Sequence, residues 1–230
     1  MNSLDSRYLR VGDTFAHRFT MPGAHRYALG APGALSAPGH HAAFAISVAE
    51  EAGTSPSTHY VTVTFANGAF AAEPAELAIK RNDVVMWSTQ SAPTAGFSVQ
   101  GGDGDARFDS ACLPANSMYS HAFGSAGVFE WTSIADPKLC GTVTVQPHPR
   151  CGTPAEQEAF MSSLAQPTLV MIDGLKAHPK KVSVTLGQTV FFAVRSGGGV
   201  AIVDSVLQGV DWAAINPQPL PPKEGGAVSG

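Results

Sequence analysis

The stretch Val84–Val143 contains short β-rich runs that are separated by turn residues. It includes Val84-Val-Met-Trp87, Tyr119-Ser-His-Ala-Phe123, Gly127-Val-Phe-Glu-Trp131 and Gly141-Thr-Val143. Gly, Pro, Asn and Asp stand between these runs, which is the pattern of a small β-sandwich. The stretch therefore predicts an all-β fold.

The order of these runs resembles the cupredoxin family of plastocyanin-like and azurin-like domains. Members of that family end in the motif Gly-x-Tyr-x-Tyr-x-Cys-x-x-His-Pro-x-Met-x-Gly-x-Val-x-Val. The segment Gly127-Val-Phe-Glu-Trp-Thr-Ser-Ile-Ala-Asp-Pro-Lys-Leu-Cys-Gly-Thr-Val143 keeps the spacing of that motif. The resemblance implies a Greek-key β-sandwich.

The copper ligands that the resemblance implies are missing from this segment. Ser133 stands at the cysteine position, Asp136 at the histidine position and Leu139 at the methionine position. The upstream histidine is expected within Thr94-Ala-Gly-Phe97, where there is none. A blue-copper site needs a thiolate, two imidazoles and a weak axial thioether. We therefore expect no metal and no cofactor at these degenerate positions.

Internal similarity divides the chain into one predicted complete sandwich and two halves. Residues 59–146 are expected to form the complete domain. Residues 1–52 repeat its second half, because Leu9–Phe19 parallels Leu113–Phe123. In this half Leu29 takes the position of the missing cysteine, and the polar residues 53–58 form a linker.

The C-terminal part contains the other half. Residues 167–210 repeat the first half of the central domain, because Pro179–Phe192 parallels Pro74–Trp87. Between them, residues 147–166 are expected to form a linker with a short helix from Pro154, capped by Thr153. Residues 211–230 form a tail rich in Pro and Gly that can adopt a polyproline-II conformation.

A half sandwich exposes an apolar face and unpaired strand edges, so each terminal half needs a partner. Residues 167–210 are expected to complete residues 1–52, which gives a second, circularly permuted sandwich. Completion within one chain is favoured by the high effective concentration of tethered segments. Completion by a neighbouring chain is the alternative, and it would give a head-to-tail ring or filament.

The chain contains eight histidines, which are its candidate imidazole ligands. His17 and His121 occupy equivalent strand positions, and a structural role with hydrogen bonds is expected for both. His40 and His41 lie in a Gly- and Pro-rich loop, where a surface metal site would need further ligands. The full set is His17, His25, His40, His41, His59, His121, His148 and His178.

Other chemical motifs are weak or absent in the sequence. A replacement metal site from Asp136, Cys140 and a nearby histidine is conceivable, but a carboxylate prefers harder metals than copper. The sequence contains no nucleophile elbow, phosphate-binding loop or dinucleotide fingerprint. We therefore expect no enzymatic activity.

The three cysteines, Cys112, Cys140 and Cys151, do not form an even disulfide framework. Free thiols are the favoured interpretation, and a bond between Cys140 and Cys151 is the alternative in an oxidising compartment.

Composition excludes several classes of partner. The net charge is −4 and there is no basic run, which argues against binding to nucleic acid. No apolar run is long enough to span a membrane. The first residues do not resemble a secretory signal. The sequence is thus compatible with the cytoplasm, with non-classical export, or with an earlier removed leader.

The sequence therefore predicts a non-catalytic structural or binding protein, built on copper-free cupredoxin-like sandwiches and self-associating. A copper-binding electron-transfer or copper-carrier protein with non-standard ligands is the alternative. A third hypothesis is that the Pro-rich tail binds a protein with an aromatic groove.

Overall fold

The computed structural model describes residues 3–36, 42–90 and 96–211. β-strands dominate these residues, which confirms the predicted all-β class. The strands are β1 (Asp13–Arg18), β2 (Gly23–Gly30), β3 (Phe44–Ala52), β4 (Thr58–Ala66), β5 (Ala69–Glu73), β6 (Glu76–Arg81), β7 (Val84–Ser88), β8 (Ser98–Gly101), β9 (Phe108–Asp109), β10 (Ser117–Ala122), β11 (Gly127–Ser133), β12 (Cys140–Gln146), β13 (Thr168–Asp173), β14 (Lys176–His178), β15 (Lys181–Thr185), β16 (Thr189–Ser196) and β17 (Ile202–Asp204).

The helix α1 (Pro154–Leu164) begins at the predicted residue. A capping box starts it: the Glu156 N–H donates to the Thr153 hydroxyl at 3.3 Å, and the Thr153 N–H donates to the Glu156 carboxylate at 3.0 Å. The helix has 11 residues, whereas a membrane span needs about 20. Within the described ranges, no helix combines the length and apolar character that crossing a membrane requires.

The strands form three sheets. One sheet has eight strands in the order β14-β13-β16-β10-β1-β7-β4-β5, and it is called the shared sheet because the two smaller sheets, called cover sheets, both pack against it. The N-terminal cover sheet has the order β6-β3-β2-β8-β9, and the C-terminal cover sheet has the order β15-β12-β11-β17. Phe15 of β1 and Tyr119 of β10 are directly paired, so their side chains lie on the same side of the shared sheet. This side is called the inner face.

Aromatic rings fill the space between the inner face and the two cover sheets. The ring of Trp87 in β7 lies 5.6 Å from those of Tyr27 and Phe108 in the N-terminal cover sheet. The ring of Trp131 in the C-terminal cover sheet lies 5.2 Å from that of Phe192 in β16. All five side chains are buried. The two cover sheets therefore make two sandwiches with one shared sheet.

Strand pairing corrects the predicted complete sandwich over residues 59–146. β7 pairs with β1 and β4, and β3 pairs with β6, so residues 13–52 and 58–109 close the N-terminal sandwich together. β10 pairs with β16, and β12 pairs with β15, so residues 117–146 belong to a different sandwich. The physical reason is that β1 lies between β7 and β10 and takes the sheet edge that β10 was expected to fill.

The predicted completion of residues 1–52 by residues 167–210 is corrected in the same way. Residues 168–204 pair instead with residues 117–146, and together they form the C-terminal sandwich. Each half thus finds its partner within one chain, so completion by a neighbouring chain is not needed.

A short exchange of segments nevertheless joins the two ends of the chain. The Asp204 N–H donates to the Leu4 carbonyl at 2.7 Å, and the Ile202 N–H donates to the Ser6 hydroxyl at 3.1 Å. In the other sandwich, the Val99 N–H donates to the Ser110 hydroxyl at 3.0 Å. The Asp5-Ser6 turn of the first repeat therefore binds the C-terminal cover sheet. The equivalent Asp109-Ser110 turn, which begins the second repeat, binds the N-terminal cover sheet.

Candidate functional site

The degenerate positions Ser133 and Leu139 lie in the closed end of the C-terminal sandwich. Both residues are buried, and the Ser133 N–H donates to the Leu139 carbonyl at 2.8 Å. The Leu139 N–H in turn donates to the Asp136 carbonyl at 3.0 Å. The loop is therefore closed by its own backbone, with the Leu139 side chain in the core where an axial ligand would be expected.

Asp136 is used within the same loop. Its carboxylate accepts the Lys138 N–H at 2.9 Å, which is a local turn interaction. Cys140 is exposed beyond the loop. In the described part of the chain, no three His, Cys, Asp or Glu side chains cluster closely enough to hold a metal ion. The residues at this position therefore do not fit a copper ion.

Thr94 and Ala95, in the stretch where the upstream ligand was expected, lie outside the described residues. Phe97, at the end of Thr94–Phe97, belongs to the N-terminal sandwich and exchanges backbone hydrogen bonds with Leu9. β17 is the strand beside Ser133, which pairs with Ile202. Ile202 and Val203 are apolar, and Asp204, the one ionisable residue of this strand, pairs with Trp131.

His17 and His121 form equivalent contacts across the seam between β1 and β10. The His17 Nδ1 lies 2.9 Å from the Ser117 hydroxyl, and the His121 Nδ1 lies 2.6 Å from the Asp13 carboxylate. Both imidazoles are buried. Because a carboxylate only accepts, the His121 Nδ1 carries the proton. Both histidine contacts therefore link β1 to β10.

A buried polar network surrounds Asp13 at the seam. The Tyr119 hydroxyl donates to Asp13 at 3.0 Å and accepts the Asp5 N–H at 3.2 Å. The Arg10 N–H donates to the other carboxylate oxygen of Asp13 at 2.9 Å. Burial, and then the charge of Asp13, hold the pKa of Tyr119 well above its ordinary value. The phenol therefore stays protonated and works as a structural donor.

A cleft of about 390 Å³ opens at the His17 end of the seam between β1 and β10, which is the end away from Asp13. Its lining includes His17, Met21 and His25 from the N-terminal sandwich, and Arg107 and Cys112 from the connection to the second repeat. Sequence reasoning missed this grouping, because its members are far apart along the chain and no local motif joins them.

The ionisable groups in the cleft are tuned by burial. Burial, and then the nearby His25, lower the pKa of His17 to about 4, so its imidazole is neutral at pH 7. The His25 Nε2 donates to the Met21 carbonyl at 2.9 Å. Burial, and then the charge of Asp109, raise the pKa of the Cys112 thiol. The His17 imidazole is therefore a neutral donor, and the Cys112 thiol is not activated as a nucleophile.

The other histidines are dispersed. His59 lies 2.9 Å from the Asp83 carboxylate, His148 packs against the ring of Phe160, and His178 lies at the end of edge strand β14. His40 and His41 lie outside the described residues.

The cysteines also remain apart. Cys112, Cys140 and Cys151 are all free and exposed, in agreement with the favoured interpretation.

Comparison with known proteins gives the chain no relatives by which to interpret these features. No family model, curated protein or solved structure matches it.

Proposed function

We propose that the chain is a non-catalytic structural or binding protein, built on copper-free cupredoxin-like sandwiches and working by self-association. The observation that carries the proposal is the loop from Ser133 to Leu139. Its backbone is closed by two hydrogen bonds and its Leu139 side chain is buried in the core. A scaffold kept for packing rather than for redox chemistry has this arrangement.

The use of the buried titratable groups supports a non-catalytic role. His121, Asp13 and Tyr119 hydrogen-bond to one another across the seam, and among the described residues only the buried Nε2 of His121 in this group lacks a partner. A catalytic base needs a substrate proton within hydrogen-bonding reach, whereas this network is closed to solvent. The proposal therefore assigns these side chains to cohesion of the molecule.

Copper titration tests the metal-free part of the proposal. We expect no stoichiometric binding and no intense visible band from thiolate-to-copper charge transfer, because the loop contains neither thiolate nor imidazole. The matched control is a variant with Cys112→Ser, Cys140→Ser and Cys151→Ser. A strong band in the native chain that this variant lacks would contradict the proposal.

A copper-binding protein with non-standard ligands is the second candidate function. The specific observation in its favour is that two imidazoles, a thioether and a thiol line one cavity, although the imidazoles and the thiol do not lie close enough together to hold an ion unless the side chains rearrange. These are donors that Cu(I) prefers. Under this alternative, copper binding would be lost in both His25→Gln and Cys112→Ser and kept in His178→Gln. Retained binding in the first two variants would exclude the cleft.

The Pro-rich tail is proposed as a separate binding element for a protein partner. Its residues 212–230 lie outside the described residues, so the proposal is supported by composition alone. Deletion of residues 214–230 should abolish capture of a domain with an aromatic groove. Unchanged capture would exclude the tail.

A further inference from the structure

The shared sheet has a second side, which is called the outer face. Side chains alternate along a strand, so residues next to the buried Phe15, Trp87 and Tyr119 point away from both cover sheets. Ala16, Met86 and Met118 are therefore among the residues of the outer face. Both cover sheets pack on the inner face, as the ring contacts of Trp87 and Trp131 show.

Strand register places six residues of the outer face in one row. The paired positions run across β13, β16, β10, β1, β7 and β4. In this order the row contains Met171, Ala193, Met118, Ala16, Met86 and Tyr60. Large and small apolar side chains alternate along most of it. The row is therefore a series of ridges and hollows about one strand spacing apart.

The next row on one side contains the exposed Arg18 of β1, whereas the next row on the other side is uncharged as well. Leu169 pairs with Phe191, which pairs with Ser120, and the row continues through Thr14 to Ser88 and Thr62. The hydroxyls of Thr14 and Ser120 lie 2.6 Å apart and satisfy each other. Covering this row would therefore not leave a buried charge, and its central hydroxyl pair already has a hydrogen bond.

The two ends of the outer face are open to solvent. Tyr60 is 67% exposed and Leu169 is 45% exposed, although both are large and apolar. Eight strands at about 4.8 Å spacing and about six residues per strand give a face of roughly 35 by 20 Å. That is close to the ~800 Å² that each partner contributes to a standard interface. The outer face is thus large enough for a stable dimer.

We propose that the outer face binds the outer face of a second copy of this chain, with a two-fold axis along the seam between β1 and β10. This inference rests on the proposed function and names its self-association surface. The axis places Met118 of one copy over Ala16 of the other, and Met86 over Ala193. Each methionine then packs over an alanine of the other copy, which requires the side chains around the buried Ala16 to move aside.

Sedimentation across a concentration series tests the proposal with the full chain. The native protein should dimerise. Met86→Glu combined with Met118→Glu should raise the dimer dissociation constant at least about 100-fold, because the interface would bury unpaired charge. Tyr60→Glu combined with Leu169→Glu alters only exposed rim positions, so this second variant should weaken the dimer without unfolding the chain. The matched control is Val128→Glu, which changes an exposed apolar residue on the C-terminal cover sheet.

Cross-linking tests the position of the axis. In a background without native cysteines, Tyr60→Cys and Met171→Cys are made as separate proteins and mixed with a short bismaleimide. The mixture should give more cross-linked dimer than either protein alone, because the axis brings the exposed Tyr60 of one copy to Met171 of the other. Equal yields would overturn the assigned axis.

The outcomes separate this inference from the proposed function. A dimer broken by Val128→Glu and kept in both outer-face variants would overturn the inference and leave self-association standing. A monomer at every concentration would overturn both. A monomeric full chain that dimerises only after removal of residues 212–230 would show that the tail competes for the outer face, which also overturns the assignment of a second copy.

Discussion

Two histidines at equivalent positions of the repeats face different partners, and the difference matters for stability. His121 donates to a carboxylate of Asp13, whereas His17 contacts only the hydroxyl of Ser117 and lies near His25. His17 therefore has no anion to stabilise a positive charge. Because burial disfavours the protonated form of His17, we expect acid to lower the free energy of unfolding.

The pH dependence of His17 gives the first prediction. Its pKa is about 4 in the folded protein and about 6.5 when unfolded. The unfolded chain takes up the proton first, so stability is full above about pH 6.5 and falls as pH drops toward 4. The loss attributable to His17 should approach about 3 kcal/mol.

Chemical unfolding of the native chain and of His17→Gln at several pH values measures this effect. The difference in unfolding free energy between the two proteins should change across that pH window. The control His178→Gln, at an edge strand, should keep the native slope. An unchanged difference between native and His17→Gln would contradict the prediction.

At the scale of the element, the exchanged Asp-Ser turns determine how the two repeats are joined. The hydroxyls of Ser6 and Ser110 each accept a buried backbone N–H from the cover sheet of the other repeat. Both serines are fully buried. The equivalence of the two contacts predicts equal contributions to stability.

Ser6→Ala and Ser110→Ala should each lower the free energy of unfolding by about 1–3 kcal/mol, because a buried N–H loses its partner. Denaturant unfolding measures the loss, and Ser55→Ala, at an exposed position, is the control. A large loss in one variant with none in the other would show that the exchange joins only one sandwich.

Sequence patterns predicted the elements better than their partners. The strands from Val84 and from Gly127 and the helix from Pro154 lie where Gly, Pro and capping residues indicated. Pairing was wrong because β1 and β10 carry the same aromatic-x-His pattern, so either one satisfies the inner face beside β7. Alternation specifies which side a residue faces, but not which of two equivalent strands is the neighbour.

The candidate site, too, was only partly predictable from the sequence. Residue type alone indicates that Ser133, Asp136 and Leu139 do not supply a thiolate, an imidazole and a thioether to a copper ion. The seam contacts of Asp13 and the cleft around Cys112 were not predictable, because each joins segments that are distant in sequence. They depend on the antiparallel pairing of the two repeats, which no local pattern encodes.

At the scale of the whole molecule, the shared sheet makes the two sandwiches interdependent. β1 and β10 pair at its centre, the buried network of Asp13 crosses the same seam, and the exchanged turns close both cover sheets. A single cooperative unfolding transition is the expected consequence, since neither sandwich can lose its part of the seam alone.

Residues 59–146, which the sequence predicted to be a complete domain, give the last prediction. As an isolated fragment they should not fold. Trp87 would lose Tyr27 of the N-terminal cover sheet, and Trp131 would lose Phe192 of the shared sheet. A buried aromatic side chain contributes roughly 4–6 kcal/mol by area, and a whole domain is stable by only about 5–15 kcal/mol.

Near-ultraviolet circular dichroism and thermal unfolding of the fragment, with the full chain as control, measure the outcome. A cooperative transition with fixed tryptophan signals in the fragment would mean that β7 can pair with β10 directly, and that the sandwich predicted from the sequence exists as an alternative fold.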